Sequence, residues 1–199
     1  MSIIDEAILE QLLVDLGEDR FNHSLRVVEE AERLASKYNI DREKAVTAAL
    51  LHDCAKFSDK KKILKMANYF DIIISDIMIH NKQLIHGPLG AKMAQDKYKV
   101  YDVDILNAIE FHTTGRKDMS KLEKLIYIAD YIEPGRKFPG VNQVRRLAYV
   151  DLDRSILLAM DETIVFLVKN NRLISPYTIE ARNQLEINLN YKEVWNERS

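Results

Sequence analysis

The sequence predicts an all-α fold, a helical bundle of roughly eight to ten helices, from three observations. Turn-formers are scarce, with six glycines and four prolines in 199 residues, against a usual combined share of about 12%. Apolar residues make up 47% of the chain, so long elements with short connections are expected. Those apolar residues recur every three or four positions, the period that gathers them on one face of a helix.

Each element follows in chain order. Phe21, Leu25, Val28, Ala31 and Ala35 stripe a helix over 19–38. Asp41 precedes Arg42-Glu43-Lys44 as an N-cap, and the helix behind it carries the apolar run from Ala45 to Leu51, the composition of a buried element. Residues 57–62 read as a charged inter-helix turn. Ile72, Ile73 and Ile74 are β-branched, but one short strand would have no partner, so 72–79 is expected to be helix or irregular turn. Pro88 after Gly87 suits the first turn of a helix running to about 97. Ile105, Leu106 and Ile109 stripe 102–112, and Gly115 sits where a left-handed residue ends a helix. Ser120 with Glu123 forms a capping box that opens 120–132, striped by Leu122, Leu125, Ile126 and Ala129. Residues 131–141 hold Pro134, Gly135, Pro139 and Gly140 and form the one sizeable loop. Leu152, Ile156, Met160, Ile164 and Leu167 stripe 152–171, read as core packing that could also serve a homodimer.

Length and composition narrow the class. Residues 1–199 are expected to be a single domain, large enough to bury a core without cross-links. Cys54 is the sole cysteine, which excludes an intrachain disulfide and fits a reducing cytoplasm. A formal charge of −2 argues against DNA, RNA or an anionic membrane as the main partner. No stretch approaches the ~18 consecutive apolar residues of a membrane span, and Met-Ser-Ile-Ile-Asp-Glu lacks the basic start of a signal peptide.

The chemistry centres on histidine and aspartate. His52-Asp53 alone means little, because composition supplies about 0.4 such pairs by chance. Its place at the end of the apolar run is more telling, since a charge there must be paired, hydrogen-bonded or metal-bound. His23 lies on the flank shared by Val27 and Leu34, His112 closes the stripe of Ile105 and Ile109, and Asp130 stands one turn beyond Ile126. Four apolar helices thus each carry an imidazole or carboxylate near the core, a thiolate-free donor set suited to Fe, Mn, Co, Ni, Zn or Mg. Singly, each residue has a plainer reading. His23 alone would be a hydrogen-bonded core histidine, Asp130 a surface acid facing Lys124 or Arg136, and Lys56 or Arg136 a solvated cation. His80 reads as structural or exposed, and Cys54 as a small core residue.

The ordered set His23, Leu51-His52-Asp53, Asp130 resembles the HD-domain metal-dependent phosphohydrolases, whose signature is H…HD…D on a helical bundle. Five segments narrow the resemblance: Ala48-Ala-Leu-Leu-His-Asp-Cys-Ala-Lys56, Leu84-Ile-His-Gly-Pro-Leu-Gly-Ala91, Ile109-Glu-Phe-His-Thr-Thr-Gly-Arg116, Leu125-Ile-Tyr-Ile-Ala-Asp-Tyr-Ile-Glu-Pro-Gly-Arg136 and Leu173-Ile-Ser-Pro-Tyr-Thr-Ile-Glu-Ala-Arg-Asn183. In this order they are similar to the bacterial YqeK family over about residues 20–185. That resemblance implies a symmetrical dinucleoside-tetraphosphatase, which cuts diadenosine tetraphosphate (Ap4A) into two ADP with a metal-activated water. It implies a two-metal site that usually holds iron, while the ligand types also admit Mn, Co, Ni or Zn. His23, His52, Asp53 and Asp130 would be core ligands, with His86 and His112 on the second-metal and phosphate side. Asp53, Lys56, His86 and His112 would carry the catalysis. Lys56, His86, His112, Thr113, Asp130, Arg136, Leu173, Ile174, Ser175, Pro176, Tyr177 and Thr178 would face the nucleotide. The chain departs from the family pattern at Ser175 and Tyr177, where His and Arg are usual; this removes two cations, and Tyr177 could stack on a base instead. The alternatives in view are HD phosphohydrolases of nucleoside mono- or triphosphates or guanosine polyphosphates, and a non-catalytic nucleotide-sensing metal protein.

Overall fold

A computed structural model describes residues 6–196 apart from Ser58, leaving aside the side chains of Lys60 and of 191–196. The helices are α1 (Glu6–Leu16), α2 (Glu18–Tyr38), α3 (Arg42–Leu51), α4 (Lys60–Tyr69), α5 (Asp76–His80), α6 (His86–Asp96), α7 (Val103–Phe111), α8 (Lys121–Ile132), α9 (Val141–Ala148), α10 (Leu152–Lys169) and α11 (Pro176–Asn196). A 3-10 turn, Lys82–Ile85, leads into α6. Eleven α-helices and no strand are thus present among the described residues, one helix beyond the expected range; five-residue α5 is too short to show a period.

The predicted caps form. Asp41 accepts from the Lys44 N–H at 2.9 Å, and the Ser120–Glu123 capping box closes in both directions, with bonds of 3.2 and 2.8 Å. Gly115 has φ of 64°, and its N–H donates to Phe111 O at 2.8 Å. Two boundaries move, and one stripe is buried over only part of its length. Asp59 caps α4 through the Lys61 N–H, so Lys60 to Lys62 belong to a helix rather than to the turn expected over 57–62. The loop expected over 131–141 shrinks to 133–140, because α8 keeps Ile132 and α9 begins at Val141. On α10 the stripe is buried through Met160, but Val165, Phe166 and Val168 beyond it are exposed.

The core is built around α8, which packs on α2, α3, α7, α9 and α10. Its Leu122, Leu125, Ile126, Tyr127, Ile128, Ala129 and Ile132 are all buried, so it is apolar nearly all round rather than on one stripe, as a central helix must be. On one side α2, α3 and α7 surround it; on the other lie α9, α10 and α11. The first of these groups, with α6 beside α7, carries every histidine of the site.

Candidate metal centre

Four imidazoles and two carboxylates converge where α2, α3, α6, α7 and α8 meet. His23 comes from the body of α2, His52 caps the C-terminus of α3, His86 opens α6, His112 caps α7, and Asp130 stands late in α8. Helix α3 stops at Leu51, one residue before His52. Beyond it the chain tightens into i→i+3 turns, Cys54 N–H to Leu51 O at 3.0 Å and Lys56 N–H to Asp53 O at 2.8 Å. That turn still brings Lys56 Nζ to 3.2 Å from Asp53 Oδ1.

Asp53, fully buried, spans two halves of the cluster. Its Oδ2 lies 3.7 Å from His23 Nε2 and 3.5 Å from His52 Nε2. Its Oδ1 lies 3.2 Å from His86 Nε2 and 3.4 Å from His112 Nε2. Asp130 Oδ1 completes the first half, 3.1 Å from His23 Nε2 and 3.9 Å from His52 Nε2. Two groups bring their donor atoms within 4.8 Å of one another: His23, His52 and Asp130; and His52, Asp53 and His112. His86 belongs to neither, although its Nε2 is 2.9 Å from that of His112.

The outer ring nitrogens decide which atoms face inward. Nδ1–H of His52 donates to Ala49 O at 2.6 Å and that of His112 to Ile109 O at 2.7 Å. His86 Nδ1 bonds Gln83 O, and His23 Nδ1 bonds Glu133 Oε1 at 3.2 Å. With acceptors at every Nδ1, each ring keeps that N–H on the outside and aims its Nε2 at the centre. His23 Nε2, His52 Nε2 and Asp53 Oδ1 are buried with no hydrogen-bond partner of proper geometry. Orphaned acceptors cost free energy inside a protein, and lone pairs 2.9 Å apart on His86 and His112 repel. A cation relieves both, so the residues fit a divalent metal held by nitrogen and oxygen.

The electrostatics agree. Burial pushes His52 down to about 4, against the pull of Asp53 and Asp130, so its ring is neutral and ready to ligate at pH 7. Burial likewise lowers His86. Burial alone would raise Asp53, but the surrounding imidazoles, once protonated in acid, and Lys56 outweigh it and hold its carboxyl well below the usual range. Asp130 is held low against burial by His23, His52 and Arg136.

A cationic rim surrounds these donors. Arg20 Nη1 donates to Asp53 Oδ2 at 3.0 Å, and Arg136 grips both Asp130 O, at 2.9 Å, and its carboxylate. Asp130 is therefore no surface acid facing Lys124, which instead pairs with Asp153 at 2.7 Å. Thr113 Oγ1 lies 3.0 Å from His112 Nε2 and 3.3 Å from His86 Nε2. Thr178 is turned away, donating its hydroxyl to Thr114 O at 2.9 Å. Leu173, Ile174, Ser175, Pro176 and Tyr177 line a cleft of about 1130 Å³ between α5, α6 and α7, together with Phe111, Glu110 and exposed His80. This cleft lies beside the histidine cluster and not over it. Cys54 is buried against Gly90 O, and burial raises its thiol far above the ordinary value, so it is no nucleophile.

Sequence reasoning missed Arg20, Arg26, Glu133 and Arg145. Arg20 had a usable signal, three residues before His23 on the same helical flank. Glu133 follows α8 and receives Arg26 Nε from α2 at 2.7 Å; a contact spanning 107 residues of chain leaves no local trace.

The HD-domain family model matches residues 20–135. A symmetrical bis(5'-nucleosyl)-tetraphosphatase of Halalkalibacterium halodurans is 44% identical over 85% of this chain and 90% of that protein. Its Bacillus subtilis counterpart is 42% identical over 85% and 91%. The crystal structure of a predicted HD superfamily hydrolase involved in NAD metabolism from Clostridium acetobutylicum superimposes with a TM-score of 0.88 at 46% identity, covering 92% of this chain and 97% of that one.

Proposed function

The chain belongs to the HD-domain family, among its YqeK-type members, and from that premise we propose that it is a metal-dependent hydrolase cleaving Ap4A symmetrically into two ADP. The observation that carries the metal dependence is the set of orphaned, inward-facing donors on His23, His52 and Asp53. His23, His52, Asp53 and Asp130 would hold one ion, and Asp53 with His112 and His86 a second. Bound divalent ions, with iron the family's usual choice and Mn, Co, Ni or Zn compatible with these ligands, supply charge to a phosphoryl oxygen and acidify water.

The side chains do the rest. Water oxygen bonds to one of the two central phosphorus atoms, the bond from that phosphorus to the central bridging oxygen breaks, and the second ADP leaves on that oxygen. Asp53, pinned between Arg20 and Lys56, is oriented toward both halves of the cluster. Lys56 is placed to offset charge developing on the departing ADP. Arg136, with its planar guanidinium already aligned by Asp130, presents a bidentate donor to a phosphate. Thr113 Oγ1 sits at the mouth between His86 and His112, within reach of a phosphate oxygen. One nucleoside would lie in the neighbouring cleft, where Tyr177 and Phe111 stand edge to face with ring centres 5.7 Å apart.

The same reading takes residues 1–199 as a single HD-type domain, supported by one continuous buried apolar cluster from Leu12 in α1 to Leu185 in α11. It also places the protein in the cytoplasm; no helix among the described residues is long and apolar enough to cross a membrane. The test is kcat/KM for Ap4A, nucleoside mono- and triphosphates and guanosine polyphosphates with Fe(II)- or Mn(II)-loaded protein. Ap4A should be the best substrate. Faster turnover of a mono- or triphosphate would overturn the assignment, and tight nucleotide binding without any turnover would replace it with a sensor.

A further inference from the structure

Three of the four inward-facing histidines are held through Nδ1 by the backbone carbonyl three residues earlier, Ala49, Gln83 or Ile109. His52 and His112 stand at helix C-termini, where carbonyls lack helical partners, and His86 stands at the junction of the 3-10 turn and α6, where Gln83 O also accepts the His86 backbone N–H. His23 stands in the body of α2, where the carbonyls are already bonded within the helix. Its Nδ1 is met instead by the carboxylate of Glu133, 2% exposed, at 3.2 Å.

That carboxylate is a built feature. Glu133 Oε2 receives Arg26 Nε at 2.7 Å and the Gly135 backbone N–H at 2.5 Å. A Cβ on Gly135 would lie 2.8 Å from Arg26 Nε and 2.9 Å from both carboxylate oxygens, so any larger residue there would displace the Arg26–Glu133 pair. Arg145 of α9 fastens the same turn from behind, with Nη2 on Glu133 O at 3.2 Å.

We propose that Glu133 is a positioning residue for metal binding: it fixes the His23 tautomer, makes that imidazole the most electron-rich donor of the four, and so makes the His23–His52–Asp130 position the tighter of the two. A carboxylate behind a ligating histidine raises its basicity, and losing such a partner typically costs about 10- to 100-fold in metal affinity. A carbonyl behind the other three rings orients them without that added charge. The proposal rests on the metal reading above.

The test is a titration of metal-free protein with Zn(II) or Mn(II), read by competition with a chromophoric chelator, for wild type, Glu133→Gln and Glu133→Ala. Melting of each metal-free protein is measured alongside. The nearly isosteric Glu133→Gln keeps a hydrogen-bonding group at His23 and should melt close to wild type, yet its tighter step should weaken about tenfold or more, with the weaker step unchanged. Glu133→Ala should weaken the tighter step further. Wild-type affinity in both variants would overturn the proposal. So would equal weakening of both steps with a lowered metal-free melting point, the mark of a merely structural residue. Wild-type protein that takes up no metal would instead overturn the metal reading itself, a failure visible before any variant is made.

Discussion

Gly87 sits in the first turn of α6, one residue after His86, where α6 and α7 press together. A Cβ there would lie 2.3 Å from the backbone oxygen of Glu110, while Cβ contacts under 3.0 Å essentially do not occur. Backbone cannot rotate away, so in Gly87→Ala the two helices must separate by about 0.7 Å or more. Overpacking of this kind costs about 1–3 kcal/mol, less the 0.5–1 kcal/mol that alanine gains over glycine in a helix. At roughly 2–4 °C per kcal/mol for a chain of this size, melting should fall by several degrees. The separation falls between His86 and His112, whose Nε2 atoms are 2.9 Å apart, and misplacement by about 1 Å can cost on the order of 100-fold in rate. Gly90→Ala is the milder comparison: its Cβ would be tight only on the Ile109 Cγ2 methyl, at 3.2 Å, with His52 O and Cys54 Sγ in ordinary contact at 3.6 and 3.7 Å, so a shift of a few tenths of an ångström accommodates it. Differential scanning fluorimetry and ADP release from Ap4A measure both variants. Wild-type melting and turnover in Gly87→Ala, or equal damage in Gly90→Ala, would refute the reasoning.

Three further outcomes follow from the same geometry. Because burial holds folded His52 at about 4 against about 6.5 in the unfolded chain, the unfolded state takes the proton first. Metal-free protein should therefore lose stability as pH falls from about 6.5 toward 4, by up to roughly 3 kcal/mol; constant melting between pH 7 and pH 5 after chelation would contradict this. Asp53 and Asp130, held low, add their loss only at more acid pH. Cys54 should resist a thiol reagent at pH 8 in the native protein and react on unfolding; stoichiometric labelling of native protein would show the site to be open. Ser120→Ala removes the α8 cap and should cost about 1 kcal/mol, read as a shift in urea midpoint, without changing the metal titration.

Local signals carried most of the fold. The Ser120–Glu123 box, the Asp41 cap and the Gly115 turn each depend on residues three or four apart, and each forms as expected. The clustered histidines and aspartates were legible because an imidazole or carboxylate on an apolar helix is costly unless it has a partner. What binds those residues in place was not. Glu133 meets His23 across 110 residues, and Arg20 meets Asp53 across 33. Lys56 reaches Asp53 through a tight turn beyond α3 that no periodicity marks. Burial all round α8 was hidden as well, since a stripe in sequence reports one face and only packing reveals the others.

The central claim is that the orphaned histidine and aspartate atoms form a metal-dependent centre that splits a dinucleoside tetraphosphate at its middle. Chromatographic analysis of Ap4A incubated with anaerobically purified, Fe(II)-loaded protein tests it most directly, with chelator-treated protein and Asp53→Asn in parallel. The account predicts ADP as the sole nucleotide product from loaded wild type, and none from the other two. AMP and ATP in equal amounts would contradict the central cut, and undiminished ADP from Asp53→Asn would contradict the site.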